Sequence, residues 1–217
     1  VKQIYWLIRR DILLELRQPQ VISGIILHAL GSVWIAYLAF KGIIPTNTWN
    51  SLLWIILLFS AVHSSNRAFG SDSGGRKLYY YTLADARHII LAKIIYNILL
   101  ILTLSAITSM VFLLFNGNPI LHPLRFILAL LLASIGLAGI LTFTSAIASQ
   151  EARNFSLMAI LSLPLTAPLL LLVIRLSTSA IQPTVASNLS AMVLALLLLD
   201  ILCITLAWIL FPYLWME

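Results

Sequence analysis

Residues 69–83, FGSDSGGRKLYYYTL, hold the densest polar chemistry in the sequence. Gly70, four residues, Gly75 and the pair Arg76-Lys77 approach the spacing of a phosphate-binding loop. Such a loop needs Lys and then Ser or Thr after its second glycine, because the ammonium reaches the outer phosphates and the hydroxyl takes Mg²⁺. Arg76 stands in the place of that Lys and Lys77 in the place of the hydroxyl, and an apolar run precedes the loop where a strand should. The phosphate-binding reading fails on chemistry and on context. A docking handle fits better. Arg67, Phe69 and Asp72 lead into Gly74-Gly75, and Arg76 to Leu83 can form a short helix offering Leu78, Tyr79, Tyr80 and Tyr81 for burial by a partner. On residues alone, an aromatic belt at headgroup depth explains the tyrosines equally well.

The remaining candidates are scattered. A haem site needs axial ligands in an apolar pocket, but His28, His63, His88 and His122 give no pair at one-face helical spacing. His122 is the weak candidate among them. Asp200 falls in the middle of an apolar run, where a carboxylate should face the protein interior and find a partner. That implies a protonated acid, a bond to Ser or Thr of the fourth or fifth run, or a subunit interface. Pro164 and Pro168 lie one turn apart and should kink their helix, with Ser162 and Thr166 placed to satisfy the freed carbonyls. Cys203 is the single cysteine, which excludes an intrachain disulfide and a Cys-x-x-Cys haem-attachment motif. The sequence shows no catalytic constellation and no metal-ligand cluster.

The elements that carry these residues follow from composition. Of 217 residues, 61% are hydrophobic and 9% charged, and the mean hydropathy is +1.04. Soluble domains carry about 25% charged residues, so lipid is the solvent around most of this chain. The net charge of +6 reflects basic residues at the ends of membrane helices rather than a nucleic-acid surface. About 20 apolar residues cross a hydrocarbon core, and six stretches qualify: 21–40, 49–67, 89–115, 124–149, 155–174 and 189–211. The first follows a polar stretch of about twenty residues and is long enough to span, which argues against a cleaved leader. Residues 42–45 and 116–119 read as tight turns.

Basic residues set the orientation. One face collects Lys2, Arg9, Arg10, Arg17, Arg67, Arg76, Lys77, Arg87, Lys93 and Arg153, leaving Lys41, Arg125 and Arg175 on the other. Both termini are therefore expected in the cytoplasm. Residues 2–18 form a separate interfacial helix whose basic residues share an arc of about 100° opposite Ile4, Tyr5, Ile8, Ile12 and Leu16. Glu15 intrudes on the apolar side. Trp34, Trp49, Trp208 and Trp215 suit belt anchors, and Arg125 and Arg175 suit snorkelling at outer helix ends.

The local motifs Arg67-x-Phe69-x-x-Asp72, Leu91-Ala92-Lys93 and Leu163-Pro164-Leu165-Thr166-Ala167-Pro168-Leu169-Leu170 resemble the CcmB family. These are ABC-2-type membrane subunits of the cytochrome c maturation haem exporter. The similarity covers essentially the whole chain, although Leu83-Ala84-Asp85-Ala86 lacks the prolines that the family leads one to expect, and the triple tyrosine is lineage-specific. The resemblance implies an all-α membrane protein of ABC-2-type permease architecture. It would form one domain over residues 1–217, with a cytoplasmic coupling loop at 68–88 and a place in a bacterial inner membrane. It implies no ATPase in this chain; ATP would bind a separate cytoplasmic ABC subunit docked on Arg67, Phe69, Asp72 and Arg76 to Tyr81. Further implied partners are a haem-handling membrane subunit and a periplasmic haem chaperone, with haem as cargo rather than resident cofactor. Two other functions fit the residues: an ABC-2 permease for a lipid, drug or glycan, and a membrane scaffold without a transport path.

Overall fold

The computed structural model describes residues 2–17, 19–41, 43–65, 85–150, 155–182 and 188–215. Among them are seven helices and no strand: α1 (Lys2–Leu16), α2 (Pro19–Phe40), α3 (Thr46–Ser65), α4 (Ala86–Asn116), α5 (Pro123–Gln150), α6 (Phe155–Ile181) and α7 (Leu189–Trp215). Punctuation in the sequence sets several of their ends. Pro19 and Pro123 open α2 and α5, where a missing N–H costs nothing. Asp85 caps α4, its carboxylate accepting from the Arg87 N–H at 3.2 Å. Gly117, at φ +77°, ends that helix.

Five helices, α2 and α4 to α7, are long and apolar enough to cross a membrane, and the chain is a multi-pass integral membrane protein. The second expected span, α3, differs. Its 20 residues reach about 30 Å, but Asn47, Asn50, Ser60, Ser64 and Ser65 dilute its apolar character. It compensates by lying largely inside the bundle. The fifth span is longer than expected, since α6 continues to Ile181.

The bundle is built around α5, which packs on α3, α4, α6 and α7. Two thirds of its apolar span, 67%, is buried, against 17% for α7. Gly136 lets α7 and α6 close on it, because a Cβ there would collide with Asp200 and Leu169. At the end away from α1, Trp49 packs edge-on against Phe112, with centroids 5.1 Å apart, and near Phe126. Trp49 is buried, not the belt anchor its position suggested; the interior claimed it because α3 is an inner helix. Trp34 is an exposed aromatic, packed with Tyr37 and Phe115.

Polar side chains tie α3 to α6. Asn50 Nδ2 donates to the Ile174 carbonyl at 3.0 Å and to Thr178 Oγ1 at 2.9 Å. Its Oδ1 accepts from Ser177 Oγ at 2.8 Å and from Trp54 Nε1 at 3.1 Å. Asn50→Leu removes four bonds, while Trp54 Nε1 keeps its bond to Ser177 Oγ and the Ser177 and Thr178 hydroxyls keep theirs to the Ile174 carbonyl, so it should destabilise the protein by about 2 kcal/mol. Asn47→Leu, which loses one exposed contact to Gln182, should cost under about 0.5 kcal/mol. Unfolding in detergent titrated with denaturant distinguishes the two; equal effects would remove the network from the account of stability.

Candidate functional site

The expected coupling residues Arg67, Phe69, Asp72, Arg76, Lys77, Leu78, Tyr79, Tyr80 and Tyr81 lie outside the described residues. What is described is the frame at both ends of that segment: α3 as far as Ser65, and α4 from its cap at Asp85. The loop expected at 68–88 therefore stops short of Ala86, where the helix has begun.

Beside this frame α1 docks on α4. Asp11, buried, accepts from Arg10 Nη2 at 2.6 Å and Nε at 2.9 Å, and its other oxygen lies 3.8 Å from Lys93 Nζ. Lys93 is 3% exposed. One turn on, Glu15 accepts a 2.9 Å bond from the Tyr96 hydroxyl. Sequence pattern made Glu15 an error in an amphipathic helix and Lys93 a flanking charge. Both are attachment points, because Asp11 and Glu15, at i and i+4, face Lys93 and Tyr96 across one helix contact. Ile89, Ile90 and Ile94 of α4, Ala146 of α5, and Ala207 and Phe211 of α7 form one cluster with Leu7 of α1 against it. Arg87 stacks on Trp208 with its guanidinium carbon 4.7 Å from the ring centroid. Movement of α1 or of the start of α4 thus meets α5 and α7 directly.

The other candidates stay apart. Pro164 and Pro168 lie on the outward face of an unbroken α6. Ser162 and Thr166 bond the Ala159 and Leu163 carbonyls at 3.1 Å each. Those are not the carbonyls the prolines free, so that expectation is corrected: a helical hydroxyl reaches three or four residues back, and the freed carbonyls of Ile160 and Pro164 lie only two back from Ser162 and Thr166. Asp200 is 2% exposed and wedged against Gly136, yet neither oxygen has a hydrogen-bond partner among the described residues. The Ser or Thr partner expected for it is absent there, since α5 presents a glycine at that level. Arg125 does more than snorkel: it donates to the Ser179 carbonyl at 3.3 Å. His122 is exposed, and its backbone N–H bonds the Ala180 carbonyl.

Sequence spacing missed one pair. His28 of α2 and His63 of α3 stack with centroids 5.1 Å apart, a contact between helices that periodicity within one helix does not reveal. Among the described residues no three His, Cys, Asp or Glu side chains are grouped to hold a metal. The core void between Trp54, Ser105 and Ser134 is only about 10 Å³. A groove of about 280 Å³ runs between α1, α2 and α4, lined by Ile12, Glu15, Ile25, Tyr96, Leu100 and Leu104 among others.

The α1 joint makes a direct prediction. Asp11→Leu removes the carboxylate that lies between Arg10 and Lys93, which should cost about 1 kcal/mol and expose α1 to trypsin at Arg9 and Arg17. Pairing Asp11→Lys with Lys93→Asp should restore part of both. Limited proteolysis and detergent melting read the outcome; a charge swap no better than the single variants would refute the pairing.

No curated protein matches the chain. A family model described as CcmB protein matches residues 2–213, from the start of α1 to near the end of α7. The chain therefore belongs to the CcmB family, whose members are membrane permease subunits of a haem-exporting ABC system in cytochrome c biogenesis.

Proposed function

We propose that this chain is the coupling subunit of an ATP-driven complex in cytochrome c maturation. ATP binds and is hydrolysed on a separate cytoplasmic ABC subunit, received by Arg67, Phe69, Asp72 and the segment Arg76 to Tyr81. The movement passes to the other side of a bacterial inner membrane, where haem is exported or a haem-loaded periplasmic chaperone is released from a haem-handling membrane subunit. Both termini lie in the cytoplasm, the side on which most of the basic residues gather. One observation carries the reading: α1 is fastened to α4 by buried polar and charged groups within three turns of Asp85, the helix start that follows the docking segment in the sequence. A push on that segment acts on α4 first, and α4 packs on α5 and α7. Haem is cargo on this account, and nothing assigns the chain a resident cofactor.

The test is a deletion strain complemented by wild type or by Asp72→Arg, scored for covalent haem in c-type cytochromes beside b-type haem. Deletion should abolish c-type haem and spare b-type haem. Asp72→Arg should fall at least tenfold below wild type at equal membrane abundance, since reversing a charge at a docking surface opposes its partner. Normal c-type cytochromes in the deletion strain would overturn the reading in favour of export of another substrate. In the same strain Pro164→Ala with Pro168→Ala should lower covalent haem severalfold if α6 bends during the cycle; full activity removes the hinge.

A further inference from the structure

The charges of α1 are sorted by face. Its two acids are turned to α4, where Asp11 meets Lys93 and Glu15 meets Tyr96. On the other side Trp6, Arg9, Arg10, Leu13 and Arg17 fall within one arc of about 100°. Together with Leu14 they line an outward-opening recess of about 560 Å³. Arg10 is already engaged by Asp11, but Arg9 and Arg17 are exposed and no acid of α1 shares their arc. The Arg9 guanidinium carbon stands 5.3 Å from the Trp6 ring centroid. Trp6 itself is 60% exposed and Leu13 47%.

The depth of this face follows from where α1 is fastened. After Lys93, the next Asp, Glu, Lys or Arg in the chain is Arg125 in α5, so α4 leaves charge behind at its joint with α1. Arg17 likewise stands six residues before Ser23, where the apolar stretch of α2 opens. Helix α1 therefore lies where its neighbours pass from water into hydrocarbon. Exposed indole and phenol rings such as those of Trp6 and Tyr5 are suited to that layer, with a polar edge toward headgroups and an apolar body toward acyl chains.

We propose that this face of α1 binds an anionic phospholipid, with its phosphate held by the Arg9 and Arg17 guanidiniums and its first acyl carbons covering Trp6 and Leu13. Charge complementarity selects an anion, since a guanidinium stays charged at physiological pH and its planar fork matches phosphate oxygens. The apolar side chains set between the two arginines select an amphiphile. A free phosphate ion answers the charge and leaves Trp6 and Leu13 uncovered. An acidic protein segment also answers the charge, but its own solvation holds it in water, outside the layer in which this face lies. The site needs neither ATP nor haem, so its test is read without either.

The full chain is placed in nanodiscs of phosphatidylcholine and phosphatidylglycerol in equal parts and released into a native mass spectrometer. It should retain phosphatidylglycerol in preference to phosphatidylcholine. Arg9→Gln with Arg17→Gln should lower that preference about tenfold, with detergent melting unchanged because both side chains are exposed. Lys41→Gln with Arg175→Gln removes the same charge from exposed positions elsewhere and should leave the preference as it is. No preference in the wild type, or equal losses in the two double variants, would overturn the site. Displacement of the retained lipid by an equal concentration of inorganic phosphate would make the ligand a free anion and overturn it too. In native membranes, benzoylphenylalanine in place of Leu13 should cross-link to phospholipid on irradiation. Adducts to protein alone would give this face to a protein partner and end the proposal.

Discussion

Lipid removes the force that holds most proteins together. For helices already in hydrocarbon, burying one apolar face against another gains little over leaving it in acyl chains, so association rests on close packing and on polar contacts between helices. The described contacts follow that constraint. Asp11 with Lys93 and Glu15 with Tyr96 join α1 to α4. Asn97 with Thr142 at 2.6 Å and Ser105 with Ser134 at 3.4 Å join α4 to α5. Asn50 joins α3 to α6, and at the far end Arg125 with the Leu121 and His122 amides joins α5 and its lead-in to the last turn of α6. Each link is worth on the order of 0.6 kcal/mol, but together they tie four different pairs of helices. Together they fix an arrangement that apolar packing alone leaves degenerate.

The same constraint makes Asp200 the outlier. Gly136 leaves room for its carboxyl group but offers it nothing to bond, and Leu169 closes the other side. Replacing the pair with two apolar side chains of matched volume is the obvious stabilising solution, and the sequence does not adopt it. Local rules are broken at functional or strained sites more often than elsewhere. The α5–α6–α7 contact around Asp200 is thus where a local rule is broken, beside the α6 that carries both prolines.

How much of this was legible in the sequence depends on whether a feature belongs to one helix or to two. Features of one helix were readable. Hydropathy located the five long apolar helices, and the amphipathic pattern of residues 2–18 separated α1 from α2. Features shared between helices were not. Glu15 breaks an amphipathic pattern until Tyr96 stands opposite it, Trp49 suits a belt until α3 proves to be an inner helix, and His28 and His63 are unrelated until α2 and α3 pair. A polar residue in an apolar run says that a partner is needed without saying which helix brings it.

The arrangement also bears on what a subunit of this kind contributes to the proposed cycle. Small-molecule sites occupy about 300–1,000 Å³; among the described residues the core void is about 10 Å³, whereas the groove of about 280 Å³ between α1, α2 and α4 and the recess of about 560 Å³ along Trp6, Arg10 and Arg17 of α1 both open outward. On the proposed reading, cargo then moves along a boundary with another subunit, and this chain supplies movement to that boundary. A charged joint suits that work better than an apolar one. Asp11 held between Arg10 and Lys93 has one register, whereas leucines sliding past leucines have several of nearly equal energy. Displacement at the start of α4 is carried into α1, α5 and α7 without slippage, and the outward face of α2, which shares few contacts with the rest of the bundle, is left free to meet whatever that displacement acts upon.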